Sequence, residues 1–174
     1  ANLVGIAMVR ELVPLITAIV VTGRSGSGFT AELGTMKVAE EIDALRTLGF
    51  SPFGYLVVPR CLVLILCLPV LTLIGDGAAI MGSLSVVVLT IDTTPLAYLA
   101  LTHEAVDAAD VIVGLVKSLF YALSIGLVAC YQGLRAEGGA EGVGRRTTTT
   151  VVQVLVLIVA LDAGLTIIAH QVGL

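Results

Sequence analysis

Charge is scarce in this sequence: Asp, Glu, Lys and Arg together make up 13% of its 174 residues, roughly half the share found in a soluble domain. A chain so short of charge cannot cover all of its faces with groups that water solvates. Hydrophobic residues make up 57% and the mean hydropathy is +1.08, the composition of an integral membrane protein. Basic residues are few as well, nine Lys and Arg spread along the chain. With no aromatic-basic cluster among them, nucleic acid is excluded as a partner, and the acidic pI of about 5.0 says little. Metal chemistry lacks its ligands, because no Cys-x-x-Cys spacing occurs and His103 and His170 stand far apart. Cys61, Cys67 and Cys130 each sit in an apolar stretch and read as small hydrophobes in helices. An initiator methionine and a signal-peptide pattern are missing too. Since the first apolar run opens almost at Ala1, an N-terminal portion is expected upstream.

What is present is a set of long apolar runs. A helix needs about 20 such residues to cross the hydrocarbon core, and four spans are expected, at about 3–22, 57–91, 111–134 and 151–169. The first is the weakest, because Arg10 and Glu11 interrupt it. The run at 61–91 is apolar apart from Asp76 and would reach ~46 Å as one helix. It reads as one span, kinked at Pro69, loosened at Gly75 and Gly77, and extending past the membrane at its outer end. The fold class is therefore an all-α integral membrane protein, a polytopic helical bundle forming a single transmembrane domain over residues 1–174.

Charge bias sets the orientation. Arg24, Lys37, Arg46 and Arg60 lie in 23–60, and Arg135, Arg145 and Arg146 in 135–150, whereas 92–110 carries only Asp92, Glu104, Asp107 and Asp110. The positive-inside rule places the first two segments in the cytoplasm and the third outside. Within 23–60, Val38, Ile42, Leu45 and Leu48 recur at helical spacing, with Lys37, Glu40, Glu41, Asp43 and Arg46 largely on other faces. Gly49 and Pro52 stop the pattern, giving a short amphipathic helix at about 37–48 that cannot span. Its acidic excess argues against lying flat on a membrane and for docking onto a cytoplasmic partner. GRSGSG at 23–28 lacks the pattern of a nucleotide-binding loop. Gly23, Ser27, Ala31 and Thr35 instead predict close helix–helix approach. EGGAEGVG at 137–144 reads as a flexible loop, with Thr147 to Thr150 as N-caps for the last span.

Several charges fall inside the spans. Counted from the outer ends, Lys117, Asp162 and Glu11 lie about 9, 10 and 12 Å deep at 1.5 Å per residue, with Arg10 adjacent. Asp76 is left unplaced, because the length of its helix leaves its depth undefined. Ionisable groups at that depth are costly unless paired or facing a wet cavity, so they mark a functional layer by default. The bland alternative is a structural Lys117–Asp162 or Arg10–Glu11 pair joining helices, with Lys117 snorkelling outward. A polar ring below a hydrophobic wall suits an amphiphile, although proton relays also place carboxylates in membranes.

The run RELVPLITAIVVTGRSGSGFTAELGTMKVAEEIDALRTLGFSPFGYLVVPR (10–60), then LPVLTL (68–73), VKS (116–118), GLRAEGGAEGVGRRTT (133–148) and VLIVALDAGLT (156–166), resembles the MlaE-type permeases. These are the membrane subunits of ABC lipid transporters that work with MCE proteins. The resemblance covers nearly the whole chain, in the family's order. It implies five spans in a complete protein, a homodimeric transport core, two cytoplasmic ABC ATPase subunits that use ATP, often a small STAS-domain partner, and an MCE-domain ring on the periplasmic side of the bacterial inner membrane. It matches the helix at 37–48 to the coupling helix that enters a groove of the ATPase. It also matches Arg10, Glu11, Lys117 and Asp162 to charged positions in or near an outward-facing lipid cavity. The leading expectation is thus a permease that moves phospholipid or a related lipid, with no cofactor of its own and no enzymatic activity, since the chain holds no nucleotide site. An ion-coupled secondary transporter using Glu11, Lys117 and Asp162 as a relay is the alternative, and a purely structural membrane subunit is a third. The secondary transporter would leave the 37–48 helix without a role.

Overall fold

The computed structural model describes residues 2–90 and 94–172. Asp92 and the side chain of Glu104, both counted in the acidic outer segment, lie outside the described residues. Every regular element among those residues is helical. The order is α1 (Gly5–Val38), α2 (Glu41–Thr47), α3 (Phe53–Leu89), α4 (Pro95–Ala105), α5 (Ala108–Leu134) and α6 (Gly139–Gln171). Four of them, α1, α3, α5 and α6, are long and apolar enough to cross a membrane. The protein is an all-α polytopic membrane protein.

Helix α5 is the centre, packed against α1, α3 and α6. Its inward stripe runs Val113, Gly114, Lys117, Tyr121, Ile125 and on to Gly133, at the three-and-four spacing that puts residues on one helix face. Two glycines let neighbours come close. A side-chain carbon at Gly114 would sit 2.7 Å from the Val9 carbonyl oxygen, and one at Gly133 would sit 2.7 Å from Leu33 Cβ. Around Tyr121 and Ile125 gather Ala18, Leu64, Leu68, Val154 and Ile158, all at most 4% exposed. The outward faces carry the large apolar residues instead, Leu62, Leu66 and Ile74 on α3 and Val152, Val156 and Val159 on α6. That inversion suits a hydrocarbon solvent.

Prolines shape two of the helices. Proline has no amide to donate to the carbonyl four residues back, so Pro14 cannot serve the Arg10 carbonyl. The turn before it widens instead: Met8–Leu12 is π-helical, and the Val13 amide donates to the Met8 carbonyl. The spacing recurs at Pro59, where Phe53–Val57 is π-helical. Pro69, expected to kink its span, lies inside the α-helix Val58–Thr90 without ending it.

Three local expectations are corrected. First, α1 does not stop near residue 22. It runs through GRSGSG, with a π-helical turn at Thr22–Gly26, and on to Val38, so the stretch from Arg24 onward projects ~21 Å further. Second, the small residues that pack are Thr22, Gly26, Thr30 and Gly34, whereas Gly23 faces open space. Both series recur every four residues, so spacing alone does not choose between them. Thr30 decides: its hydroxyl lies 3.0 Å from the Ala129 carbonyl and 2.9 Å from the Thr150 hydroxyl. Third, the glycine cluster at 137–144 is not a loop beyond Gly139, where α6 begins. Thr147 to Thr150 are therefore inside a helix and bond carbonyls three or four residues back, as Thr149 does to Arg145 at 2.9 Å, rather than capping it. Between α3 and α5, Pro95–Ala105 forms α4, tied to α3 by Tyr98 and Ser83 hydroxyls 2.7 Å apart.

Candidate functional site

Lys117 sits on the inward stripe of α5 one turn beyond Gly114, where α1 packs closely. The widened turn Met8–Leu12 carries Arg10 and Glu11 to the same level. From α6, Asp162 and Thr166 arrive one turn apart. The Lys117 ammonium is 1% exposed and donates to the Glu11 carboxylate, to Asp162 Oδ1 at 3.0 Å and to Thr166 Oγ1 at 2.8 Å. An ammonium has three N–H donors, so these three acceptors use all of them. Tyr121 donates to the same Asp162 Oδ1 at 2.6 Å, and the Thr166 hydroxyl bonds the Asp162 carbonyl at 2.8 Å. Three helices are joined by one buried cation.

Arg10 does not pair with Glu11. It reaches Asp110 Oδ1 at 3.3 Å. Asp110 is the third residue of α5 and closes a capping box, its Oδ2 taking the Asp107 amide at 3.2 Å while Asp107 takes the Ala108 amide at 2.7 Å. Tyr121, Thr166 and Asp110 are members that the sequence reading did not single out. Tyr121 lies four residues after Lys117 and Thr166 four after Asp162, the spacing that shares a helix face. That was the available signal for them.

Asp76 comes near this level without joining the network. A side-chain carbon at the adjacent Gly75 would lie 2.8 Å from Val13, two residues past Glu11. Asp76 is 8% exposed, and its Oδ1 has no hydrogen-bond partner among the described residues. Lys117 lines an apolar groove of about 190 Å³ together with Ile112, Val113, Val116, Leu165, Ile168 and Ala169. A charged cluster that opens onto an apolar groove can hold a molecule with a polar end and a hydrocarbon end.

The elbow between α1 and α3 is built differently. A helix over 37–48 is expected, but α1 ends at Val38, Glu40 takes a left-handed conformation (φ 63°), and only Glu41–Thr47 is helical in α2. Gly49 closes it with φ 84°, as its place before Pro52 predicts. Ile42 is 1% exposed and packs with Leu33, Leu56, Val57, Cys61 and Cys130, and Leu45 is half-buried beside it. These two face the protein's own interior, because the apolar stripe of so short a helix must first cover the ends of α1 and α3. The outward surface consists of Glu40, Glu41, Arg46 and Leu48, the last 72% exposed. Asp43 bridges Lys37 at 3.4 Å and Arg46 at 3.1 Å, and Phe50 stacks at a tilt on Tyr55.

The family model described as permease MlaE matches residues 1–168. The chain is 41% identical over 158 residues to a probable ABC transporter permease protein of Rickettsia typhi, covering 91% of this chain and 61% of that protein. It is 40% identical over 157 residues to a probable ABC transporter permease protein of Synechocystis, covering 90% and 60%. A plant protein, trigalactosyldiacylglycerol 1, chloroplastic, of Arabidopsis thaliana, is 42% identical over 165 residues, which is 92% of this chain and 46% of that protein. The chain thus spans about three-fifths of the length of the bacterial relatives.

Proposed function

This chain belongs to the MlaE permease family, and from that premise we propose that it is the permease subunit of an ABC transporter for phospholipid or a related lipid. It moves that lipid between the bacterial inner membrane and an MCE-domain protein on the periplasmic side. In this reading it works as a homodimer, ATP is hydrolysed by a separate cytoplasmic subunit, and a STAS-domain subunit can accompany that ATPase. The lipid headgroup meets Arg10, Glu11, Lys117 and Asp162, and hydrocarbon lies against the adjoining apolar groove. The outward residues of the elbow, Lys37, Glu40, Glu41, Asp43, Arg46 and Leu48, receive the ATPase, while Ile42 and Leu45 transmit its motion by fastening α2 to the ends of α1 and α3.

The observation that carries the proposal is the Lys117 cluster: charges from three membrane helices gathered at one level beside an apolar groove. Groups that cost so much to hold in a bilayer are retained where they meet a polar ligand. The test is to purify the full-length protein through a tag, expressed with its genomic neighbours. An ATPase and bound phospholipid should accompany it. Absence of both, together with proton-dependent uptake in liposomes, would overturn the reading in favour of a secondary transporter.

A further inference from the structure

Helices α1 and α3 leave an open groove of about 500 Å³ between them. Its apolar walls are Ile16 and Val20 on α1 and Leu71, Ile74 and Ala78 on α3, all exposed. Arg24 closes one end, ~20 Å further along α1 than Glu11, and no member of the Lys117 cluster lines the groove. Arg24 stands just past 3–22, the run expected to span, where hydrocarbon gives way to headgroups. Its guanidinium is exposed and makes no ion pair or hydrogen bond with the described residues. Acids that could neutralise it are engaged or distant. Helix α1 carries none between Glu11 and Glu32, and Glu32 is held by Arg60 at 2.8 Å. Asp76 on α3 is buried and does not line the groove. The backbone of α1 also fits this wall. In a regular α-helix four residues overshoot one turn by about 40°, so a row at every fourth residue drifts away. Thr22–Gly26 is instead π-helical, with more residues per turn, which keeps Arg24 and Ser25 in line with Val20 and Val21 along the groove. A proline follows each of the other two π-helical turns by two residues, but Gly28 stands at that place here. A missing amide does not explain this turn.

We propose that this groove binds an anionic phospholipid of the surrounding bilayer, its phosphate on the Arg24 guanidinium and one acyl chain between α1 and α3. Ile16 lies eight residues from Arg24, ~12 Å along the helix, close to the roughly 15 Å of hydrocarbon in one leaflet. A soluble anion would use the guanidinium alone and leave the apolar walls uncovered. A zwitterionic headgroup brings its own cation beside the phosphate and gains less from Arg24. An anionic lipid uses both features, and basic pockets between membrane helices bind such headgroups. The inference goes beyond the transport reading and does not rest on it, since the bound lipid is not the one transported.

This chain holds no tryptophan, so a reporter indole can be placed at the groove's lip. Ile74→Trp, with Val20→Trp as a second reporter should the first fail to fold, is made in the full-length protein. It is reconstituted in phosphatidylcholine vesicles with a growing share of brominated phosphatidylglycerol or brominated phosphatidylcholine. Quenching is read as the difference from the protein without the reporter. Brominated phosphatidylglycerol should quench with about fivefold higher apparent affinity, the scale of one basic residue at an anionic surface. Arg24→Gln should abolish that preference, and a Val156→Trp reporter on the exposed face of α6 should show little of it. Equal quenching by the two lipids at the groove overturns the proposal, as does a preference that survives Arg24→Gln. An equal preference at Val156→Trp marks a general attraction of anionic lipid and overturns it too. Quenching by neither lipid means that another segment of the protein or a second copy fills the groove, which also overturns it.

Discussion

Lys117 shows how one residue can serve both stability and function. Its ammonium is out of water and is held by the Glu11 and Asp162 carboxylates. Removing one partner of a buried ion pair leaves the others uncompensated and costs about 3–5 kcal/mol. Lys117→Ala should therefore lower the thermal stability of the detergent-purified protein sharply and abolish transport. A variant with unchanged melting temperature would mean that the network does not hold the three helices together. Asp76 predicts the opposite sign. Its Oδ1 is buried with no hydrogen-bond partner among the described residues, and a buried unsatisfied acceptor costs about 1–3 kcal/mol. Asp76→Leu should leave stability unchanged or raise it. If stability rises while transport falls, the carboxylate is kept for function, whereas a drop in stability would reveal a partner for it.

At the scale of elements, the two ends of the bundle obey different rules. In α2 the inward and outward residues separate cleanly. Ile42→Glu would place a charge in the cluster of Leu33, Leu56 and Cys130 and should destabilise the protein before any partner is involved. Leu48→Glu, on an exposed side chain, should change stability by no more than about 0.5 kcal/mol and weaken co-purification of the ATPase. If both variants behave alike in a melting assay, the assignment of faces is wrong. Helix proximity makes a second contrast. Gly133→Ala forces a carbon to 2.7 Å from Leu33 Cβ and 3.1 Å from the Thr30 carbonyl, an overpacking expected to cost about 1–3 kcal/mol. Gly77→Ala meets open space and should be neutral or slightly stabilising, as alanine is the better helix former. Equal melting temperatures for the two would contradict the close packing of α1 on α5.

For the whole molecule, orientation is the property on which the functional reading depends. Basic residues collect at the elbow and at the start of α6, whereas 92–110 on the opposite side has no Lys or Arg, so a membrane-impermeant thiol reagent should distinguish the two sides. In a cysteine-free background, Asp107→Cys should label in intact cells and Glu141→Cys only in inverted vesicles. The reverse pattern would turn the charged cluster toward the cytoplasm and remove the basis for meeting a periplasmic partner.

The class of the protein was legible from composition and hydropathy, because a bilayer tolerates only helices whose outward faces are apolar. The level of the charges was legible too: Lys117, Asp162 and Glu11 were brought together by counting residues, since helical rise is nearly constant. Choices between near-equivalent patterns were not legible. Thr22, Gly26, Thr30 and Gly34 pack where Gly23, Ser27, Ala31 and Thr35 were expected, Arg10 pairs with Asp110 rather than Glu11, and Ile42 faces inward. Each turns on which neighbour stands across the helix, which spacing along one chain does not contain. The sequence by itself determined a helical membrane protein with charges from three spans at one level. Only the tertiary structure decided which of those charges are spent on one another, because hydrogen-bond saturation is a property of atoms from three helices at once.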